Sequence, residues 1–331
     1  MESPEANPMP AVSVIIPPYK TAHLIAETLD SVFSQTFKSF EVIVVNGGSP
    51  DTLELEKALL PYRDRIHYIR EENRGPGGAR NTAIRRARGE FLAFLDSDDL
   101  WLPDFLADQL KFFQEHPGLD LAVADCIYFG DTSLAGKSWQ SLYPIHGPVT
   151  FEKILPTHGG AFASCVVLKR ETALKVGFFE EHYLLEDYQY WLRLLYSGGQ
   201  MAYLRKVLGK RRVHSVSATY NHDVIVPQAI KVLQKLEPRL DPARKEAGLV
   251  REEIARSQSQ LAVEDGRRSL AAGEFKGALH SFEAAYAAVP SRRVHLVLLG
   301  LRWAPRLTRS VVDRRDRYLY EKTSRGKPPV T

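Results

Sequence analysis

Short apolar runs alternate with amphipathic segments through the first part of the chain. Between the runs, segments such as His23–Gln35 place apolar residues at helical spacing. Strands that alternate with helices predict an α/β domain with a mainly parallel sheet, in which ligands bind beyond the carboxyl ends of the strands. The runs are rich in β-branched residues, and we expect strands buried on both faces at Val12–Ile16, Glu41–Val45, Ile66–Ile69, Phe91–Leu95 and Leu121–Ala124.

The pattern changes in the second half of the chain. Ala163–Leu168 is a further strand candidate, and Asp187–Tyr196 has the spacing of a helix. From about His222 onward the pattern is wholly helical. Small and aromatic residues within 259–290 predict one tetratricopeptide-like helical hairpin, and a plain hairpin fits them as well.

Composition narrows the class of protein. The chain has 331 residues, of which 44% are hydrophobic and 25% charged, as is typical of a soluble globular protein. Its two cysteines, Cys126 and Cys165, are too few for a disulfide framework, which favours a reducing compartment. No apolar run approaches the ~18 residues of a spanning helix, and the acidic, proline-rich start is unlike a signal peptide. We therefore expect a cytoplasmic protein.

Positive charge is concentrated at the C-terminal end. The net charge is +4, yet residues 291–331 hold 11 Lys and Arg against 3 Asp and Glu, so the remainder is negative. A basic, apolar, Trp303-bearing segment at 291–320 predicts binding to an anionic membrane, at the inner face of the plasma membrane. A helix that packs on the core with its arginines in solvent fits equally, and Pro305 interrupts the pattern. We expect no nucleic-acid binding, because no such motif accompanies this charge.

Three carboxylates follow the strand candidate Phe91–Leu95. Asp96, Asp98 and Asp99 would repel one another in a dry site, and a divalent cation such as Mn²⁺ or Mg²⁺ would relieve that repulsion. The alternative is a solvated turn that caps the next helix.

Four other motifs carry candidate chemistry. The glycine-rich stretch Asn73–Asn81 leads into a helix, where exposed amides and Arg80 favour an anion such as phosphate. Asn46 follows the second strand candidate, and Glu186-Asp187 opens a helix, where acidic residues also complement the helix dipole. His214 lies in the last motif, and a lone histidine is more often structural than a ligand.

The order of these motifs resembles the family 2 glycosyltransferases, inverting enzymes with the GT-A fold. The resemblance covers roughly residues 11–217. It rests on five segments, which are similar to the family's first strand and turn, AR-N loop, DxD motif, ED segment and R-x-H-x-x-S element: Val12–Tyr19, Asn73–Asn81, Asp96–Asp98, Glu186–Arg193 and Arg212–Ser217.

The resemblance implies a role for each matching residue. Asp187 would be the general base that deprotonates an acceptor hydroxyl, with Glu186 as the alternative. Asp98 and His214 would lie at the metal, Mn²⁺ or Mg²⁺, which stabilises the leaving diphosphate. The nucleotide sugar would contact Pro17, Tyr19, Asn46, Arg80, Asp96 and Ser97.

One departure affects the base. The family usually has two Asp residues where this chain has Asn46-Gly47, and an uncharged acceptor should lose on the order of 1 kcal/mol on the uracil NH. Pro18 and Lys20 also replace the commoner Thr and Asn. We still expect a UDP- or TDP-sugar as donor.

The expected protein is thus a GT-A domain at 11–220, preceded by a flexible leader at 1–10 and followed by a helical extension at 221–331. Its acceptor would be a carbohydrate, lipid-linked or other hydroxyl compound used in polysaccharide, glycolipid or glycoconjugate synthesis. The alternative is a catalytically degenerate GT-A scaffold that binds partners. Homo-oligomer formation is left open.

Overall fold

The computed structural model describes residues 9–158, 160–182, 184–213, 222–312 and 314. The chain divides into two compact units, residues 1–216 and 217–331. The strands, all in unit 1, are β1 Val12–Ile16, β2 Phe40–Gly47, β3 His67–Glu71, β4 Phe91–Phe94, β5 Leu100–Trp101, β6 Leu121–Gly130, β7 Val166–Lys169 and β8 Met201–Val213. The helices of unit 1 are α1 Ile25–Phe33, α2 Thr52–Leu59, α3 Gly75–Arg86, α4 Phe105–Glu115, α5 Trp139–Leu142, α6 Phe151–Ile154, α7 Arg170–Val176 and α8 Glu186–Tyr196.

The described strands of unit 1 form one mixed sheet in the order β3-β2-β1-β4-β7-β6-β8-β5. Four of its seven pairings are parallel, including β1 with both β2 and β4. The predicted α/β class with a mostly parallel sheet is therefore confirmed. Because β1, β2 and β4 run in the same direction, their carboxyl ends lie at one edge of the sheet, where the polar motifs follow.

Three features differ from the sequence prediction. β3 is an edge strand with exposed and half-buried residues, because only one neighbour covers it, so the prediction that both faces are buried was wrong there. Ala163–Cys165 forms a 3₁₀ turn, and the strand begins at Val166 and runs antiparallel to β4. β6 extends to Gly130 because it pairs along the length of β8.

Apolar side chains of the helices pack on the sheet of unit 1. From α1, Ile25, Leu29 and Val32 are fully buried and belong to the same cluster as Val14 and Val44. Their spacing of three and four residues places them on one face of the helix, as the sequence pattern requires. This packing fixes the turn that precedes α1, which forms part of the candidate site.

Unit 2 is helical over its described residues, with α9 His222–Leu236, α10 Lys245–Ala272, α11 Phe275–Ala288 and α12 Arg292–Trp303, followed by helical residues 305–312. Gly266 of α10 lies against the ring of Phe282 from α11, so any larger side chain would collide with the ring. Whether this pair is a tetratricopeptide-type repeat remains a prediction. Among the described helices, none is both long enough and apolar enough to cross a membrane.

Candidate active site

Hydrogen bonds join the turns that follow three parallel strands. Thr21, in the turn after β1, shares a hydrogen bond of 2.6 Å with Ser97, which follows β4. The backbone N–H of Ala22 donates to Oδ2 of Asp51, after β2, at 2.9 Å. These bonds fix the first turn against both neighbouring turns.

Arg80 connects the carboxylates of two distant motifs. It is 3% exposed and lies in the second turn of α3, from which it donates to Oδ1 of Asp96 at 2.6 Å and to Oε1 of Glu186. Burial lowers the pKa of Arg80, but the charges of Glu186, Asp96 and Asp187 more than offset this and raise it above its ordinary value. Arg80 is therefore a cation throughout the accessible pH range, although its buried Nε has no hydrogen-bond partner among the described residues.

The two adjacent carboxylates at the start of α8 have different surroundings. Glu186 is 5% exposed and faces Arg80, whereas Asp187 is half-buried and accepts the backbone N–H of Tyr188 at 2.7 Å. Burial raises the pKa of Glu186 to about 7 although Arg80 opposes the shift. Burial also raises the pKa of Asp187, again against the effect of Arg80. Asp187 is thus the more accessible base of the two.

Asp99 belongs to the protein interior. Its Oδ2 accepts the hydroxyl of Ser164 at 2.6 Å and its Oδ1 accepts the backbone N–H of Arg212 at 2.8 Å. Burial, followed by the charges of Asp98 and Asp96, raises its pKa to about 8. Asp96 and Asp98, by contrast, are half-buried.

Asn46 is not brought into this group. Its side chain is fully buried, and its Nδ2 donates to Thr52 at 2.9 Å and to the hydroxyl of Tyr68 at 3.0 Å. Its Oδ1 accepts the backbone N–H of Ser49 at 2.8 Å. All of these bonds hold the turn after β2 in place, and the predicted contact with the nucleotide base stays a prediction.

The remaining predicted residues differ in accessibility. Tyr19 is 47% exposed and Pro17 is half-buried, so both present surface next to the turn after β1. Ser97 is 4% exposed and bonds Thr21, which makes it a support for the turn. His214 lies outside the described residues.

Two residues to which the sequence assigned no role also hold the DSDD turn. Ser164 donates to Asp99 and accepts the backbone N–H of Asp96 at 3.1 Å. Arg212 donates from Nε to the carbonyl oxygen of Asp98 at 2.9 Å and also bonds Glu27. Arg212 lies in a motif that the sequence pattern singles out, whereas nothing around Ser164 signals its position.

Comparison with known proteins places this architecture in a family. Residues 13–211 match the family model described as glycosyl transferase family 2, and the chain belongs to that family. An uncharacterized glycosyltransferase of Rickettsia bellii is 32% identical over 219 residues, which cover 62% of this chain but only 30% of the relative's own length. An Escherichia coli protein, UDP-Glc:alpha-D-GlcNAc-diphosphoundecaprenol beta-1,3-glucosyltransferase WfgD, is 30% identical over 186 residues, or 56% of this chain and 69% of that protein.

Solved structures share the fold of this chain. Staphylococcus aureus TarS 1-349 in complex with UDP-GlcNAc aligns over 93% of this chain and 91% of its own, with 20% identity and a TM-score of 0.62. The mannosyltransferase PcManGT of Pyrobaculum calidifontis in complex with GDP-Man and Mn²⁺ aligns over 93% and 88%, with 20% identity and a TM-score of 0.57. The GT-A fold expected from the resemblance is confirmed.

Proposed function

We propose that this protein is an inverting, metal-dependent glycosyltransferase that moves a sugar from a nucleotide-diphosphate sugar to a hydroxyl acceptor. The observation that carries the proposal is the Arg80 bridge, which joins Asp96 of the DxD-like turn to Glu186 at the start of α8. Through this bridge the chain brings its donor-binding and acceptor-activating motifs together, with Asp187 half-buried beside them.

Asp187 acts as the general base in this proposal. Its carboxylate removes a proton from the acceptor hydroxyl, which attacks the anomeric carbon from the face opposite the diphosphate. The carboxylate of Glu186 accepts a hydrogen bond from Arg80, so Glu186 positions the neighbouring Asp187 and is not itself the base. The raised pKa of Asp187 makes it a stronger base than an ordinary aspartate.

The carboxylates of the DSDD turn fit a divalent metal. Asp98 would hold Mn²⁺ or Mg²⁺ beside Asp96, since Asp99 already bonds Ser164 and Arg212 through its two oxygens. In the described part of the chain, no three His, Cys, Asp or Glu residues are grouped as ligands, and magnesium sites that use substrate phosphates need only one or two protein carboxylates. The bound metal would neutralise charge on the leaving diphosphate.

Donor and acceptor are proposed by class. TarS and PcManGT are solved with UDP-GlcNAc and GDP-Man, which supports a nucleotide sugar, and we keep a UDP- or TDP-sugar as the first expectation. Tyr19 offers an exposed ring on which a base can stack. The name of the Escherichia coli relative supports a lipid-linked sugar as acceptor.

A thermal-shift panel of UDP, TDP, GDP, CDP and ADP, with and without Mn²⁺, tests donor binding. A ligand that binds the folded state raises the melting temperature by mass action. We expect a metal-dependent shift with one base, lost in Asp98→Asn and retained in the exposed control Asp64→Asn. Absence of any shift would instead support the scaffold alternative.

The base role is tested separately by kinetics. Asp187→Asn should retain the nucleotide shift and lose at least ~100-fold in transfer rate, because a general base typically contributes that much. In the wild type, activity should fall on the acid side with an apparent pKa above the ordinary aspartate value of about 4, because protonated Asp187 cannot accept a proton. Full activity of Asp187→Asn would assign the base role to another group.

A further inference from the structure

Helix α12 has two apolar faces, and only one of them is buried. Val294, Leu298 and Leu301 pack in the core of unit 2. On the opposite face, Leu296 is 67% exposed and Trp303 is 87% exposed. An ordinary surface helix presents polar residues on its outer face, so this exposed apolar face indicates an interaction surface.

Exposed apolar residues also occur in the next helical segment, which follows a break at Ala304. In residues 305–312, Leu307 is 66% exposed and Val311 is 59% exposed, whereas Thr308 is buried and Val312 packs on the core. Pro305 stands at the start of this segment, a position that proline tolerates, so it does not prevent the helix. The exposed stripe is defined as the exposed apolar residues of α12 and of this segment, namely Leu296, Leu299, Trp303, Leu307 and Val311.

Arginines flank the exposed stripe. Residues 291–312 contain five arginines and no Asp or Glu. Arg292, Arg293 and Arg306 are exposed, as is Arg302, which pairs with Glu283. An apolar stripe with tryptophan and a cationic border is complementary to an anionic bilayer, where apolar side chains enter the acyl region and arginines meet lipid phosphates. Contact between two copies through this stripe would instead bring their arginines together.

We propose that the exposed stripe is a peripheral membrane-binding surface for an anionic lipid bilayer. Trp303 and Leu307 enter the interface between headgroups and acyl chains, and the flanking arginines bind the anionic headgroups. The proposal concerns unit 2 alone and does not depend on the proposed transfer reaction.

Trp303 provides a direct probe of insertion. The other three tryptophans, Trp101, Trp139 and Trp191, are at most 5% exposed, so Trp303 is the one that lipid can reach. Full-length protein is mixed with phosphatidylcholine vesicles containing about one third phosphatidylglycerol, with bromine atoms near the start of the acyl chains. We expect quenching of Trp303 fluorescence with these vesicles, none with pure phosphatidylcholine, and a loss of quenching as salt screens the headgroups.

Variants separate the apolar and electrostatic parts of binding in a vesicle sedimentation assay. Trp303→Ala/Leu307→Ala should lower the apparent affinity for anionic vesicles about tenfold or more, and Arg292→Gln/Arg293→Gln/Arg306→Gln should reduce it similarly. Leu53→Ala, at a 69% exposed leucine in α2, is the matched control and should bind as the wild type does. Circular dichroism verifies that each variant is folded.

Two outcomes would overturn the proposal. Sedimentation without quenching would show that charge alone holds the protein at the surface and that the stripe does not insert. Absence of both, together with dimers in sedimentation velocity that Trp303→Ala/Leu307→Ala abolishes, would show that a second copy covers the stripe.

Discussion

Arg80 forms a buried ion pair with Glu186 in the candidate site. Its guanidinium and the carboxylate of Glu186 are both nearly inaccessible, with side chains 4% and 6% exposed. A buried pair of this kind adds little net stability, because the cost of removing both charges from water offsets their attraction. Removing one partner is different, since the other charge is then left buried and uncompensated.

Arg80→Met should therefore lower the free energy of unfolding of unit 1 by about 3–5 kcal/mol. Adding Glu186→Gln should restore part of that loss, because the buried carboxylate that faced Arg80 is then replaced by a neutral amide. Three buried tryptophans lie in unit 1, so fluorescence during urea unfolding reports on it. The control is Arg70→Met, whose side chain is 61% exposed and pairs with Glu56 at 3.6 Å, and which should cost less than about 1 kcal/mol. Equal losses of unfolding free energy in Arg80→Met and Arg70→Met would contradict the buried-pair argument.

The sequence predicts which residues are polar at the strand ends but not how they pair. Arg80 and Glu186 both stand out in the sequence, yet 106 positions separate them, and only the fold shows that one guanidinium serves both Asp96 and Glu186. Asn46 shows the opposite limit. Its motif indicates a ligand contact, which stays a prediction, and only the fold shows that its amide also holds the turn after β2.

The glycines at the start of helix α3 do more than leave backbone amides exposed. They also allow close packing against a neighbouring segment. A Cβ at Gly77 would collide with the carbonyl oxygen of Glu180 and would approach Cγ of Glu186 to 3.2 Å. The glycine-rich stretch therefore lets α3 approach the start of α8 closely enough for Arg80 to reach Glu186. The sequence pattern indicated an anion-binding loop, and the packing role becomes visible only in the fold.

Gly77→Ala should move α3 away from the segment before α8. Overpacking of this kind costs about 1–3 kcal/mol, which outweighs the gain of about 1 kcal/mol from alanine's higher helix propensity. The measurement is urea unfolding of unit 1 together with the nucleotide thermal shift, and both should weaken. Gly118→Ala is the control, because no atom lies within 4 Å of its added Cβ. A stabilised Gly77→Ala variant would refute the close approach of the two helices.

Elements with strong local patterns are predictable, and elements that depend on distant partners are less so. β1 matches its predicted range at Val12–Ile16, because a buried central strand is apolar throughout. β3 and β7 depart from prediction because edge position and antiparallel pairing are set by neighbours far along the chain. For the same reason β6 continues six residues beyond the predicted Ala124, along β8.

At the scale of the whole molecule, each unit has a hydrophobic core of its own. The core of unit 1 lies between the sheet and helices such as α1, whereas that of unit 2 includes Leu270, Phe282 and Leu298. The family match ends at residue 211, before unit 2 begins. Among the described residues, those proposed for donor binding and catalysis all belong to unit 1. We therefore expect catalysis to depend on the core of unit 1 and membrane binding by the exposed stripe to depend on the core of unit 2.

Phe282→Ala tests this separation. The ring is 3% exposed and lies against Gly266, so its removal should cost the helices of unit 2 about 3–5 kcal/mol. Hydrogen exchange should accelerate in α10, α11 and α12, while the affinity for the nucleotide stays unchanged because no proposed donor contact lies there. Leu296→Ala, at a position 67% exposed, should leave exchange within about 0.5 kcal/mol of the wild type. Phe282→Ala could instead lower the free energy of nucleotide binding as much as it lowers the stability of unit 2. That result would show that the donor site requires the core of unit 2, and the proposed independence of the two units would be wrong.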